Sequence, residues 1–230
     1  MAVAIAAELR YTRSMKRHGS VRPRRAGGAC KARFASPRAG FSMIELLVVL
    51  ALILILTMLF WGGRGSGRQR QQQQSCQKNL QKIFIALEIY ARDSAQQFPV
   101  VPEAKTSEEA LDLLVPRYTV DIGSFICPGS SDSSLTGSES LSRHRISYAY
   151  YMGRRASDAS EALMSDEQVD TLAKAAGQQA FSTTGKGPGN NHSKRGGNFL
   201  FVDGRVEHSP ARPPFSLMLT QGVVLLNPKP

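Results

Sequence analysis

GFSMIELLVVLALILILTMLFW, residues 40–61, decides how the rest of the chain is read. From Phe41 to Trp61 the only ionisable side chain is Glu45. A helix rises ~1.5 Å per residue, so these residues make a rod about 31 Å long, the thickness of a bilayer's hydrocarbon core. A carboxylate inside such a span is costly and calls for a partner charge. A secretory signal peptide would carry a shorter apolar region of ~7–15 residues ending at a small-residue site. This run is longer and ends in Leu59-Phe60-Trp61. A plain signal anchor gives no reason to place Glu45 inside the apolar run.

Charge is distributed to match. The chain of 230 residues carries a formal +11. Residues 1–40 hold ten Lys/Arg and one acid, Glu8, so +9 of that sits ahead of the span and only +2 beyond it. A basic leader keeps the N-terminus cytoplasmic by the positive-inside rule and sits well against anionic lipid. The high pI therefore belongs to the leader, and no nucleic-acid partner is expected of the remainder. Met15 is an alternative start that would shorten the leader.

Basic leader, Gly40-Phe41, a small polar residue, Glu45 and Leu-Leu-Val-Val together resemble the class III signal of type IV pilins and type II secretion pseudopilins. The resemblance implies cleavage after Gly40 by a prepilin peptidase, N-methylation of Phe41, and a role for Glu45 in subunit assembly. It implies an α+β pilin-like fold, a long N-terminal helix packed on a small antiparallel sheet. The implied partners are the peptidase, other pilin or pseudopilin subunits, an inner-membrane assembly platform and the lipid bilayer. Implied localisation is the bacterial inner membrane, single-pass, with the head in the periplasm or outside.

The expected organisation is a leader at 1–40, a transmembrane helix at 41–61, a glycine-rich break at 62–68, and a head with its supporting helix at 69–230. Glutamines at 71–74 start a second helix. From Cys76 to Ala91 the apolar positions Cys76, Leu80, Ile83, Phe84, Leu87, Tyr90 and Ala91 recur at spacings of three and four. Ile85 and Ile89 lie off that stripe, which predicts burial around more than half the helix. SCQKNLQKIFIALEIYARDSAQQFP also resembles a group of pseudopilin-like proteins with a Cys-x-x-Asn-Leu-x-x-Ile helix start and a Phe-Pro turn. Cys76, Asn79, Leu80 and Ile83 match that pattern, and Cys127-Pro128 and Ser147-Tyr148 fit the same group.

NHSKRGGNFLFVDGRVEH, residues 191–208, resembles the prepilin-associated His-x9-Asp-Gly motif, with His192, Asp203 and Gly204. Here ten residues separate His192 from Asp203, and the extra one is placed in the loop 193–197, where an insertion is tolerated. Asp203-Gly204 between two alternating runs predicts a two-residue type I′ hairpin over 198–208. Asp203 is thus read as a turn residue and His192 as a loop-packing or hydrogen-bonding residue, neither as a metal ligand.

Elsewhere, residues 107–114 read as a short helix stopped by Pro116, and 125–127 and 146–151 as strands. Residues 161–164 suit helix or strand, and 166–177 a helix. The apolar run in the tail is an edge strand or a loosely held end. Cys30 leaves with the leader, and Cys76 and Cys127 remain in a compartment that permits a disulfide. Joining them would stabilise the head by ~4 kcal/mol in the chain-entropy account; two buried free thiols are the alternative. No nucleophile elbow, Walker loop, H-E-x-x-H or C-x-x-C pattern occurs, so an enzyme is not expected, nor a cofactor. The reading is a structural subunit of a type II secretion pseudopilus or type IV pilus-like filament. The alternative is a single-pass anchored binding or sensor module.

Overall fold

The computed structural model describes residues 40–61, 64–137 and 140–230; the leader up to residue 39 lies outside them, as do Gly62 and Gly63. The chain divides into two units, 1–50 and 51–230, with the boundary inside the first helix. Helix α1 runs Met43–Trp61 and α2 Arg64–Asp93. A short α3, Ser107–Leu111, continues as a 3-10 turn to Leu114. Five strands follow: β1 Tyr148–Met152, β2 Ala162–Asp166, β3 Gly197–Phe201, β4 Val206–Ser209 and β5 Val224–Leu226. They form one sheet in the order β4-β3-β2-β1-β5, with every pairing antiparallel. The expected α+β architecture is present.

The sheet is covered on both faces, and side-chain alternation sorts the strands between two cores. Tyr148, Tyr150 and Leu200 join Cys76, Leu80, Ile83 and Leu87 of α2 in the larger core. Tyr151, Phe199, Phe201 and Leu225 point the other way, against Phe181 and Leu217 from irregular segments. Leu163 and Met164 are sequence neighbours yet both lie in the larger core. The pairing of β2 with β3 shifts register between Ala162 and Met164, the local irregularity that lets two successive side chains share a face.

Several local expectations are corrected. Ile85 and Ile89 are 59% and 45% exposed, so α2 buries a single stripe. Arg64–Arg68 are already helical, against the glycine-rich break expected over 62–68; Gly62 and Gly63 lie outside the described residues. The 125–127 segment is a 3-10 turn, Ile122–Phe125, running into extended backbone, and Asn79 Nδ2 of α2 donates to Ile126 O at 2.9 Å in place of a strand partner. Residues 167–177 form no helix, because Asp166 ends β2 and is drawn into the interior. The tail does return to the sheet: β5 pairs with β1 as an edge strand.

The hairpin differs from the expected type. Phe201 N donates to Arg205 O at 2.9 Å and Gly204 N to Phe201 O at 2.9 Å, so the loop is Val202-Asp203-Gly204. Only Gly204 has positive φ, +84°, and Asp203 does not. This is the three-residue loop in which a type I turn is followed by a left-handed residue. Asp203 Oδ1 accepts from Arg205 N at 2.9 Å, a turn role as expected. A side chain at 204 would also meet the Phe84 ring 2.5 Å away, so the tip rests on α2.

Candidate functional site

The first functional element is α1 itself. Apart from Glu45 it is almost wholly apolar, and residues 43–60 are all exposed, from Met43 at 84% to Phe60 at 64%. Among the described residues it is the one helix long and apolar enough to cross a membrane. A surface of this size needs an apolar environment, lipid or other helices. Ser42 O accepts from Glu45 N at 3.0 Å and Leu46 N at 3.2 Å, which opens the helix and puts Glu45 in its first turn. A carboxylate there is favoured by the helix dipole, and it lies one turn from Phe41 and the Gly40-Phe41 bond.

The second element is a buried polar cluster in the head, where residues from four separate segments meet. Cys76 comes from α2, Cys127 from the turn after Ile126, Asp166 from the end of β2, and His192 from the loop before β3. Their donor atoms, two Sγ, one carboxylate oxygen and one ring nitrogen, all lie within 4.8 Å of one another, and all four residues are buried. Cys76 Sγ donates to Asp166 Oδ1 at 3.1 Å and contacts Tyr148 Oη at 3.2 Å. His192 Nε2 lies 3.5 Å from Cys127 Sγ and 3.3 Å from Asp166 Oδ2.

Surrounding groups hold these side chains in place. Asn198 N donates to Asp166 Oδ2 at 2.6 Å, and Asn191 Nδ2 to Asp166 Oδ1 at 3.2 Å. Gly129 N donates to Cys127 Sγ at 3.4 Å. Gly129 must lack a side chain: a Cβ there would sit 2.7 Å from His192 Nδ1 and 2.6 Å from Asn191 O. Gln72 Nε2 and Asn79 Nδ2 of α2 donate to Pro128 O and Ile126 O, fastening the helix to the turn that carries Cys127. Asn191 Nδ2 also donates to Ser147 O at 2.6 Å, beside Tyr148.

The electrostatics follow from burial opposed by contact. Burial pushes the Cys76 thiol well up, reinforced by the Cys127 hydrogen bond and the Asp166 charge. Burial would also raise Cys127 and Asp166, but hydrogen bonds from Cys76 and His192 hold Cys127 below its usual value, and His192, Cys76 and Asn198 N do the same for Asp166. Burial would depress His192; its bonds to Asp166 and Cys127 outweigh that and push it up to about 10.

Cys76, Cys127 and His192, singled out in the sequence, are thus brought together, while Asp203 and Gly204 stay at the hairpin tip. One expectation changes: Cys76 and Cys127 are free buried thiols, hydrogen-bonded to each other, to Asp166 and to His192, the alternative to the expected disulfide. His192 packs and hydrogen-bonds as a loop residue, and does so in the interior, 8% exposed. Asp166, Asn191 and Asn198 escaped the sequence reading. Asn198 carried a usable signal: it alternates in phase with Leu200, so an amide occupies a core position and needs partners.

Comparison with known proteins bears on the N-terminal segment alone. Residues 36–61 carry a prokaryotic N-terminal methylation motif. No curated protein and no solved structure matches the chain. The motif, set on an apolar helix of spanning length, supports a pilin-like or pseudopilin-like precursor with a membrane anchor.

Proposed function

We propose that this chain is a structural subunit of a type II secretion pseudopilus or type IV pilus-like filament, processed by prepilin peptidase after Gly40 and assembled through its N-terminal helix. The observation that carries the reading is the methylation motif running into α1, a helix exposed throughout residues 43–60 and with Glu45 in its first turn. Processing leaves the Phe41 amine as the new N-terminus. Glu45 of one subunit neutralises that amine on a neighbour, because two opposite charges in a low-dielectric core offset part of each other's desolvation cost and removing one strands the other. The platform in the inner membrane, other pilin-like subunits and lipid are the partners of this step, and the head stands in the periplasm or beyond.

Mass spectrometry of the protein from native membranes tests this. The expected N-terminus is methylated Phe41, and Gly40→Val is expected to block cleavage. A Cβ at Gly40 meets nothing within 4 Å in the chain's own fold, so a defect reports on the peptidase and not on folding. An intact leader on the wild-type protein would refute the reading and favour a single-pass anchored module.

A further inference from the structure

The buried cluster of Cys76, Cys127, Asp166 and His192 is a place where four metal-ligating atoms converge from four parts of the head. We propose that it is a structural zinc site, with Cys76 Sγ, Cys127 Sγ, His192 Nε2 and one Asp166 carboxylate oxygen as the four ligands.

The geometry separates this from the other chemistries open to the same residues. A Cys-His-Asp relay needs the thiol and the carboxylate on opposite nitrogens of the imidazole. Here Cys127 and Asp166 approach the same atom, Nε2, at 3.5 and 3.3 Å. Convergence of all donors on one point is what an ion requires. In a tetrahedral zinc site with bonds of about 2.0–2.3 Å, ligand atoms stand about 3.3–3.8 Å apart. With Asp166 Oδ2 as the ligand oxygen, Cys127 Sγ–His192 Nε2 at 3.5 Å and His192 Nε2–Asp166 Oδ2 at 3.3 Å are already near those edges; Cys76 Sγ lies 3.1 Å from the other oxygen of the same carboxylate, and the four residues' donor atoms fall within 4.8 Å of one another. A nucleophilic thiol would also need exposure, and both sulfurs are at most 1% exposed.

The donor set selects the ion. Two sulfurs and an imidazole suit zinc and disfavour calcium or magnesium, which take oxygen. Four protein ligands leave no open position, the mark of a structural site. The supporting shell fits: Asn198 N and Asn191 Nδ2 orient the carboxylate, and Gly129 N donates to the Cys127 sulfur. A pocket of about 80 Å³ lined by Gln72, Gly129, Asn191 and His192 supplies an approach from the surface. Both sulfurs bind as thiolates and His192 as neutral imidazole, with the displaced protons passing to solvent. The ion would join α2, the Cys-Pro-Gly turn, β2 and the His192 loop in one knot. None of this depends on the chain entering a filament.

The test uses the full chain carrying Cys30→Ser, purified in detergent under reducing conditions and exposed to zinc(II). Elemental analysis is expected to show one zinc per chain, with Cys76 and Cys127 resisting alkylation until a chelator is added. Chelation is expected to lower the melting midpoint by on the order of 10 °C. Cobalt(II) added to the apo-protein should give tetrahedral ligand-field bands and sulfur-to-cobalt charge transfer, a readout that needs no variant. His192→Ala and Cys76→Ser should each weaken zinc binding by on the order of 100-fold or more. Two alkylatable thiols with no zinc retained would overturn the proposal. So would a Cys76–Cys127 disulfide in the protein isolated from membranes, or zinc bound unchanged by both variants. Because metal content is read on the purified chain, its failure is distinct from a failure of processing or assembly.

Discussion

Gly204→Ala isolates the contact that seats the β3–β4 hairpin on α2. Two costs are readable from the structure. Gly204 has φ +84°, where a Cβ is opposed by the following carbonyl at about 1–2 kcal/mol. The same Cβ would sit 2.5 Å from Phe84 Cε1 and 3.0 Å from Cζ, so the ring must swing aside. Phe84 is only partly buried, which leaves the ring room to move and holds that share near the low end of overpacking costs, about 1 kcal/mol. The expected total is about 2–3 kcal/mol, or a fall of about 4–12 °C in melting midpoint for a chain of this size.

The two costs separate in a double-mutant cycle. Leucine at 84 lacks the ring atoms that a Cβ at 204 would strike. Against a Phe84→Leu background, Gly204→Ala should cost only its backbone share, giving a coupling of about 1 kcal/mol between the two positions. Thermal melts of the detergent-held chain, followed by far-ultraviolet circular dichroism, measure all four corners. If Gly204→Ala melts within a degree of wild type, or costs the same in both backgrounds, the hairpin tip does not rest on α2 as described.

Two further outcomes are expected. Glu45→Leu should be processed and inserted at least as well as wild type, since it removes a charge from the apolar run, yet fail to enter filaments; crosslinked ladders equal to wild type would refute the charge pairing. Glu108 is fully buried and its Oε1 accepts from both Ile146 N and Lys229 N at 3.0 Å, so Glu108→Ala should cost about 2–4 kcal/mol by stranding one buried and one half-buried donor, whereas Glu108→Gln, which keeps an acceptor, should cost clearly less in the same melts.

What was legible in the chain was whatever a short window decides. The apolar run with its single glutamate, the stripe from Cys76 to Ala91 and the alternation around Asp203-Gly204 each carry their own periodicity, and each is where it was expected. The failures share a cause. Asp166 reads locally as the start of a helix, but its carboxylate takes the N–H of Asn198 and the thiol of Cys76, so tertiary bonds end the strand there instead. Ile85 and Ile89 read as buried because they are apolar, yet none of the described residues covers that side of α2. The polar cluster was invisible as a unit, since its four members are separated by dozens of residues. The resemblance had nonetheless named three of its parts separately, in the Cys76–Ile83 pattern, Cys127-Pro128 and His192.

The spacing of His192 and Asp203 then has a physical explanation. One end of this segment is pinned beside Cys76 on α2 through the buried cluster, and the other beside Phe84 through Gly204. Those positions are eight residues apart on the helix, about 12 Å. Strand β3 bridges the interval, with Leu200 facing α2 and Phe199 and Phe201 facing the second core. Adding a residue between Gly197 and Phe201 would send every later side chain to the wrong face. Slack in the count can therefore reside only before the strand. Residues 193–196 are a turn, where Ser193 already adopts φ +60° and no ladder bond is at stake. On the count of nine that the resemblance implies, the tenth residue is expected in this turn, between the pinned His192 and the start of β3.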